Sequence, residues 1–287
     1  MVVVSSGLYG AELGQAVQIA AKGIPCPVVD RVQQVPSSSA LKCLVIDPEH
    51  LDAALAALPS FPQARLVVLY DRLSAPLLAA ALREPRVLGF VADHHDGPDP
   101  NEVACMVGRS LSGGAAVPLA KLMSWAHVQV AFSLRSTAER GRVVEAVSTI
   151  AARFGLSPRN VGAAREATAC LLEVLMGGGA YREPVAEERA VQVKVVLDAT
   201  SFGIEAIDAF GALKRGDVFG ALLRVEQGAG ATDLGRALRD VLEVASMMRF
   251  HVEPGVATCA TFLMHRGGAP RLGVGSLYWE TAEPAPR

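Results

Sequence analysis

The first 115 residues alternate between short runs of Val, Ile and Leu and longer segments rich in Ala and Leu. The short runs lack apolar–polar alternation, which is typical of parallel strands that are covered on both faces. The predicted strands are Val2–Ser5, Pro27–Val32, Cys43–Asp47, Arg65–Tyr70 and Val87–Ala92. The predicted helices are Ala11–Ala21, His50–Ala57, Ala75–Leu82 and Glu102–Leu111. This order predicts a five-stranded, doubly wound parallel sheet.

A different order of elements begins after the glycines and the proline of residues 112–124. The pattern there predicts, in turn, strand Val128–Leu134, helix Thr137–Phe154, a helix from Ser157 to Met176, strands Val191–Asp198 and Gly203–Asp208, helices Gly216–Val225 and Asp233–Ala245, and strands Arg249–Glu253 and Thr258–Met264. This order is typical of an α/β sandwich with a mixed or antiparallel sheet. We therefore predict a domain over residues 1–115, a linker over 116–126, a second domain over 127–270 and a C-terminal tail over 271–287.

The composition indicates a globular protein and argues against nucleic-acid-binding and membrane-spanning classes. A chain of 287 residues with 51% hydrophobic and 20% charged residues is globular and long enough for about two domains. A net charge of -2 provides no basic field for nucleic acid, and no apolar run is long enough to cross a membrane. The five scattered cysteines suggest buried free thiols rather than disulfides. We expect a cytoplasmic protein without nucleic-acid binding or membrane insertion.

By its size and order of elements, the first half resembles the receiver domain of response regulators, which has a flavodoxin-like fold. A receiver holds Mg²⁺ with paired acidic residues after its first strand, where this chain has Ser5 and Ser6. Asp47 matches the phospho-accepting aspartate in position, but the acidic stretch Asp93–Asp96 replaces the lysine after strand five. One carboxylate without these partners does not support phosphoryl transfer. We expect a pseudo-receiver, in which Asp47 is a turn or capping residue, and a solvated loop over Asp93–Asp96.

The second half, over about residues 127–265, resembles the ATP-binding domain shared by histidine kinases and anti-sigma-factor serine kinases. That family carries an acidic residue on its second helix and, four positions later, an Asn that coordinates Mg²⁺. Two registers match this spacing, namely Glu166 with Cys170 and Glu173 with Gly177, and neither supplies the Asn. A thiol or a hydrogen cannot replace a hard oxygen ligand, so we expect no Mg²⁺. We prefer the register of Glu173, because the family pair lies near the end of this helix.

Three further segments carry the resemblance. Asp208 and Gly211 match the family turn whose Asp accepts the adenine amino group, although Asp-x-x-Gly is also a common plain turn. The glycine-rich segment with Gly228, Gly230 and Gly235 matches the ATP lid, and Asp233 there is expected to cap the following helix. Gly255 and Thr258 match the closing pair of strands. The resemblance thus implies ATP or ADP contacts at these segments.

Two functions remain open. The first is a non-catalytic bacterial signalling adaptor that docks other signalling proteins, with homodimerisation as a further expectation, and that needs no cofactor. The second is a nucleotide-binding switch or anti-sigma-type serine kinase that keeps ATP or ADP binding through Asp208 and Gly211. A metabolic α/β enzyme is disfavoured, because Gly7 and Gly10 lack the G-x-G-x-x-G spacing after strand one.

Overall fold

The computed structural model describes twelve stretches of the chain: residues 1–5, 10–20, 26–36, 41–94, 97–99, 102–103, 106–107, 118–123, 126, 128–230, 232–265 and 275–281. The chain divides into two compact units, Met1–Gly114 and Ala115–Arg287. Both combine helices with strands, which confirms the α/β class predicted from the sequence. Of the helices in the described stretches, none has both the length and the apolar character that crossing a bilayer requires.

The first unit is built on a parallel sheet. Its strands are β1 (Val2–Val4), β2 (Val28–Val29), β3 (Cys43–Ile46), β4 (Arg65–Tyr70) and β5 (Val87–His94), and its helices are α1 (Gly10–Ala20), α2 (Leu51–Ala57) and α3 (Ala75–Arg83). The strands follow the order β2-β1-β3-β4-β5, and each neighbouring pair is parallel. Buried side chains, mostly Val, Leu and Ile, fill β1, β3, β4 and most of β5 on both faces, as their continuous apolar runs predict, whereas Val28 of β2 is exposed.

Two features of the first unit differ from the sequence prediction. The strand predicted over Pro27–Val32 has only the two residues of β2, because a short 3-10 turn begins at Val32. The prediction of a loop over Asp93–Asp96 is wrong for its first two residues, because β5 continues through His94. This strand pairs with a two-residue strand, β6 (Gly97–Pro98). His95 and Asp96 lie outside the described residues. Of the predicted helix Glu102–Leu111, four residues are described, and they are helical.

The second unit has a mixed sheet. Its strands are β7 (Val128–Leu134), β8 (Val191–Leu197), β9 (Ser201–Asp208), β10 (Met247–Glu253), β11 (Ala257–His265) and β12 (Ser276–Thr281). Its helices are α4 (Leu119–Leu122), α5 (Arg140–Arg153), α6 (Pro158–Met176), α7 (Arg215–Glu226) and α8 (Asp233–Leu242). The strand order is β7-β8-β9-β11-β10-β12, antiparallel except for the parallel pair of β10 and β12.

Most elements of the second unit lie within two residues of their predicted bounds. Helix α6 begins as predicted, since the Ser157 hydroxyl accepts a hydrogen bond from the Asn160 amide at 3.2 Å and Pro158 follows. Two elements were missed. Helix α4 lies in the segment predicted as a linker, and β12 lies in the segment predicted as a tail. Strand β12 pairs with β10, from which the chain separates it by more than twenty residues.

The two faces of this sheet differ in chemistry. One face is apolar and carries buried side chains such as Val193, Ile204 and Phe262, while the other carries Lys194 and Glu205 on neighbouring strands. Helix α6 packs on β9 and β11, and α4 packs against Val196 and Gly203 on the polar face. The segment containing α4 therefore covers part of the polar face.

Candidate functional site

A cleft of about 410 Å³ opens in the second unit where three segments meet. They are the end of α6, the loop between β9 and α7 together with α7 itself, and the start of α8. Its lining residues include Glu173, Gly177, Gly178, Ala212, Leu213, Asp217, Val218, Arg224, Thr232 and Leu234. The volume is in the range of roughly 300–1,000 Å³ that is common for small-molecule sites. The cleft joins residues that lie far apart in the chain.

Glu173 lines the cleft at the end of α6, and its carboxylate forms an ion pair with Arg140 at the start of α5. Gly177, the residue four positions later, also lines the cleft. In the other register, Cys170 is buried, and burial raises the pKa of its thiol to about 12, with a further contribution from the charges of Glu166 and Glu173. The register of Glu173 is thus the one with both residues at the cleft, and neither register places an oxygen ligand at the Asn position.

Asp208 is buried at the end of β9 and organises the turn that follows. Its Oδ1 accepts hydrogen bonds from the backbone amides of Phe210 at 2.6 Å and Gly211 at 3.0 Å. This is the plain turn chemistry that the Asp-x-x-Gly spacing also allows. The buried Tyr181 ring packs edge-on against Phe210, and its pKa rises to about 12 through burial and through the charge of Asp208. Asp208 therefore has a structural role whatever else it contacts.

Gly211 has a packing reason for being glycine. Its φ is +57°, and a Cβ atom at this position would lie 2.1 Å from the carbonyl oxygen of Glu253, where β10 ends and the turn to β11 begins. The loop after β9 therefore passes directly against that turn, and a side chain would separate them. This contact explains Gly211 without a ligand.

Thr258 lies on β11 directly opposite Asp208 on β9. Its side chain is fully buried, and its Oγ1 finds no hydrogen-bond partner among the described residues. A buried hydroxyl without a partner costs about 1–3 kcal/mol. The pair formed by Asp208 and Thr258 is therefore a buried polar group with unused hydrogen-bonding capacity.

The predicted lid residues take different roles. Gly228 and Gly230 lie between α7 and α8 with φ of +65° and +59°, so this loop uses the backbone freedom of glycine. Gly235 instead allows close packing of α8 on α7, since a Cβ there would lie 2.6 Å from the Ala221 carbonyl oxygen. The helix cap differs from the prediction, because the Thr232 hydroxyl, not Asp233, accepts from the Gly235 amide at 3.1 Å.

Sequence reasoning missed three polar groups of the cleft. Asp217 and Arg224 lie seven positions apart on α7, a spacing that returns to the same face of a helix. Thr232 carried a usable signal, because Thr is a favoured residue at the position just before the first turn of a helix. Arg224 had no sequence signal, since its position in the cleft depends on how α7 packs against α6 and α8.

Asp47 directly follows β3 in the first unit and precedes a 3-10 turn, Pro48–His50. The turn is closed by the backbone, with the His50 amide donating to the Asp47 carbonyl at 3.0 Å, and the Asp47 side chain does not cap it. Asp47 thus lies in a turn, as predicted, but without the predicted capping role. Burial raises the pKa of Asp93 at the end of β5, and the charges of Asp47 and Asp71 raise it further.

No protein-family model matches this chain, and a search of curated proteins found no match either.

Proposed function

We propose that this chain is a non-catalytic signalling regulator whose second unit binds ATP or ADP as a switch. The observation that carries the proposal is the cleft itself. The end of α6, the loop after Gly211 and the start of α8 all line it, and they belong to or adjoin the segments that the resemblance to kinase-type ATPase domains assigns to the nucleotide. Of the residues that this resemblance names, Glu173 lines the cleft, whereas the described lining residues do not include Asp208, Gly211, Gly228, Gly230, Gly235 and Thr258. Their convergence in one cleft does not follow from their separate sequence patterns.

The order of elements supports the same ancestry. In the first unit the strand order 2-1-3-4-5 is the flavodoxin-like order, which receiver domains share. In the second unit the succession of strands and helices from β7 to β11 is the βααββααββ order of the kinase-type ATPase domain. Both of these folds occur in signalling proteins, so the resemblance of each unit to one of them favours a regulatory role over a metabolic one.

The polar residues of the cleft suggest where the phosphates would bind. Arg224 supplies a guanidinium group, the side chain best suited to phosphate oxygens. Thr232 and the first amides of α8 lie at the same cleft, and the amino end of a helix favours an anion. The negative charge of Glu173 would repel a phosphate, but the ion pair with Arg140 offsets that charge.

The adenine ring would be recognised by the pair of Asp208 and Thr258. An adenine amino group donates a hydrogen bond, which a carboxylate oxygen accepts, and the unpartnered Thr258 hydroxyl can either donate or accept. Both residues are buried, so the base reaches them only if the loop after β9 moves. Binding of this kind couples the nucleotide to the conformation of that loop, which is what a switch requires.

Phosphoryl transfer is not part of the proposal. The position four residues after the acidic residue of α6 is Gly177 in one register and the buried Cys170 in the other. Neither offers an oxygen to Mg²⁺, which needs hard oxygen ligands. We therefore propose binding without hydrolysis.

A second candidate function is a docking adaptor that binds no nucleotide. It is favoured by the internal partners of the two acidic residues, since Glu173 pairs with Arg140 and Asp208 holds the backbone of its own turn. Under this alternative the fold is kept as a surface for other signalling proteins, and the cleft has no ligand.

Thermal unfolding with millimolar ATP, ADP or GTP, with and without Mg²⁺, separates the two functions. A ligand at 100 times its dissociation constant stabilises the folded state by about 2.7 kcal/mol. For a unit of this size that corresponds to a rise of roughly 5–10 °C in Tm. We expect the rise with ATP or ADP, and we expect it to persist in EDTA. No shift with any nucleotide would contradict the switch and leave the adaptor.

Two variants test the assigned residues. Arg224→Ala removes an exposed cation from the cleft and should weaken ATP binding at least about tenfold, whereas Arg159→Ala, at the opposite end of α6, is the matched control. Asp208→Asn keeps a carbonyl oxygen for the amides of Phe210 and Gly211 but adds an amide donor toward the base. Unchanged ATP affinity in Asp208→Asn would remove this residue from the site.

A further inference from the structure

Three side chains with metal-binding atoms converge in the first unit, in the turn that follows β3. They are Asp47, Glu49 and His50, and one ligand atom from each lies within 4.8 Å of the other two. The 3-10 turn Pro48–His50 brings them together, because its tight winding begins directly after the residue that follows the strand. The group combines two carboxylates with one imidazole, so it differs from a purely acidic surface cluster.

The spacing of these atoms suits a metal ion. His50 Nε2 lies 3.5 Å from Glu49 Oε1. Zinc binds histidine nitrogen and carboxylate oxygen at about 2.0–2.2 Å, and two such ligands at a tetrahedral angle lie roughly 3.4 Å apart. A zinc ion could therefore bridge these two atoms with little movement of either side chain.

The environment of His50 also favours a ligand. Its side chain is 16% exposed, and its Nε2 atom is buried without a hydrogen-bond partner among the described residues. Buried polar atoms are rarely left without a hydrogen-bond partner in folded proteins. A bound metal ion would satisfy this nitrogen through its lone pair.

The negative charges around these three residues also favour binding of a cation. Strands β3, β4 and β5 are parallel, so the residues that follow them lie at one edge of the sheet. Asp71 and Asp93 lie at that edge, and the charges of Asp47 and Asp71 both act unfavourably on the Asp93 carboxylate. A divalent cation would offset this repulsion.

We propose that Asp47, Glu49 and His50 bind one Zn²⁺ ion, with the remaining coordination position open to water. The donor set decides the choice of metal. Imidazole and carboxylate together suit zinc, whereas Mg²⁺ prefers an octahedral set of oxygen atoms. The sequence patterns named no metal ligand here, because they indicated Asp47 only as a turn residue or a phosphorylation site. This site lies in the first unit and does not depend on the nucleotide proposal.

Isothermal titration of the full chain, first stripped with EDTA, tests the site with ZnCl₂ and with MgCl₂. We expect one equivalent of Zn²⁺ to bind and to raise the melting temperature, while Mg²⁺ does neither. Failure to bind Zn²⁺, or binding of Mg²⁺ in preference to it, overturns the proposal.

Variants locate the bound metal. Glu49→Gln and His50→Asn should each weaken Zn²⁺ binding at least about tenfold, in line with the loss of a ligand. The Glu49 side chain is 62% exposed, so Glu49→Gln should fold normally, and circular dichroism checks this. Asp52→Asn, an exposed carboxylate two residues further on, is the control and should bind Zn²⁺ unchanged. Undiminished binding in both Glu49→Gln and His50→Asn would overturn the proposal, because the metal would then be bound elsewhere.

Discussion

Gly203 on β9 is one of the residues against which α4 packs, and this contact gives a quantitative prediction. A Cβ atom at position 203 would lie 2.6 Å from Leu119 Cδ2, 3.1 Å from Cδ1 and 3.2 Å from Cγ. Leu119 is fully buried in a small cluster with Met123 and Val196, so its side chain has little room to move aside. Its amide also donates to the buried Glu205 carboxylate at 2.7 Å, which holds the start of α4 in place. Gly203→Ala should therefore overpack this contact.

The expected free energies follow from the size of each change. Overpacking by one methyl group costs about 1–3 kcal/mol, and Leu119→Ala, which leaves a cavity, costs about 2–5 kcal/mol. In the double variant the methyl group introduced at position 203 occupies part of the space that Leu119 vacates. The two changes should therefore be less than additive, by about 1 kcal/mol or more.

Urea unfolding followed by circular dichroism measures all four members of this cycle. Gly162→Ala is the matched control, because a Cβ there meets no atom within 4 Å and α6 gains a better helix former. It should increase stability by up to about 1 kcal/mol. The reasoning would be refuted if Gly203→Ala were as stable as the wild type, or if the free energies of Gly203→Ala and Leu119→Ala simply added.

Three other predictions concern buried groups. Thr258→Val replaces an unpartnered hydroxyl by a methyl group and should raise the free energy of unfolding by about 1–2 kcal/mol, whereas a lower urea midpoint would mean that the hydroxyl has a partner. Because the folded-state pKa of Asp93 is raised, the stability it contributes is present below its unfolded pKa and lost as pH rises through its folded pKa. Asp93→Asn should thus increase Tm at pH 7 in EDTA but not in strong acid, and equal gains at both pH values would exclude this cause. Cys170, with a pKa of about 12, should react with iodoacetamide at pH 8 only after unfolding, which mass spectrometry of labelled peptides can follow.

Local patterns were enough to place most helices and strands. Strand β7 has the predicted bounds, and α6 begins at the predicted Ser-Pro pair, because the decisive signals lie within the element or next to it. Strand β12 was missed for the opposite reason. It has six residues, and its place in the sheet depends on pairing with β10, which no local pattern encodes.

The residues of the candidate sites likewise separate into those that a local sequence pattern indicates and those whose position depends on packing. Glu173, Gly177 and the turn at Gly211 could be selected from the sequence, since each belongs to a short pattern with defined spacing. The contribution of Arg224 to the cleft could not, because it depends on the packing of three helices. The His50 site was equally hidden, since it requires the conformation of a 3-10 turn rather than the spacing of residues on a helix.

Cross-strand and long-range contacts also decide which role an ambiguous residue takes. Asp208 fitted both a turn and an adenine acceptor, and the sequence could not separate them, because both need the same Asp-x-x-Gly spacing. The structure adds the position of Thr258 on the opposite strand, which leaves a buried hydroxyl beside a carboxylate that already holds its own turn. The turn role is thus compatible with the ligand role, since only Oδ1 accepts from the two turn amides. Under the proposed function, Oδ2 would accept from the adenine amino group while Oδ1 holds the turn, and Asp208→Asn tests this acceptor.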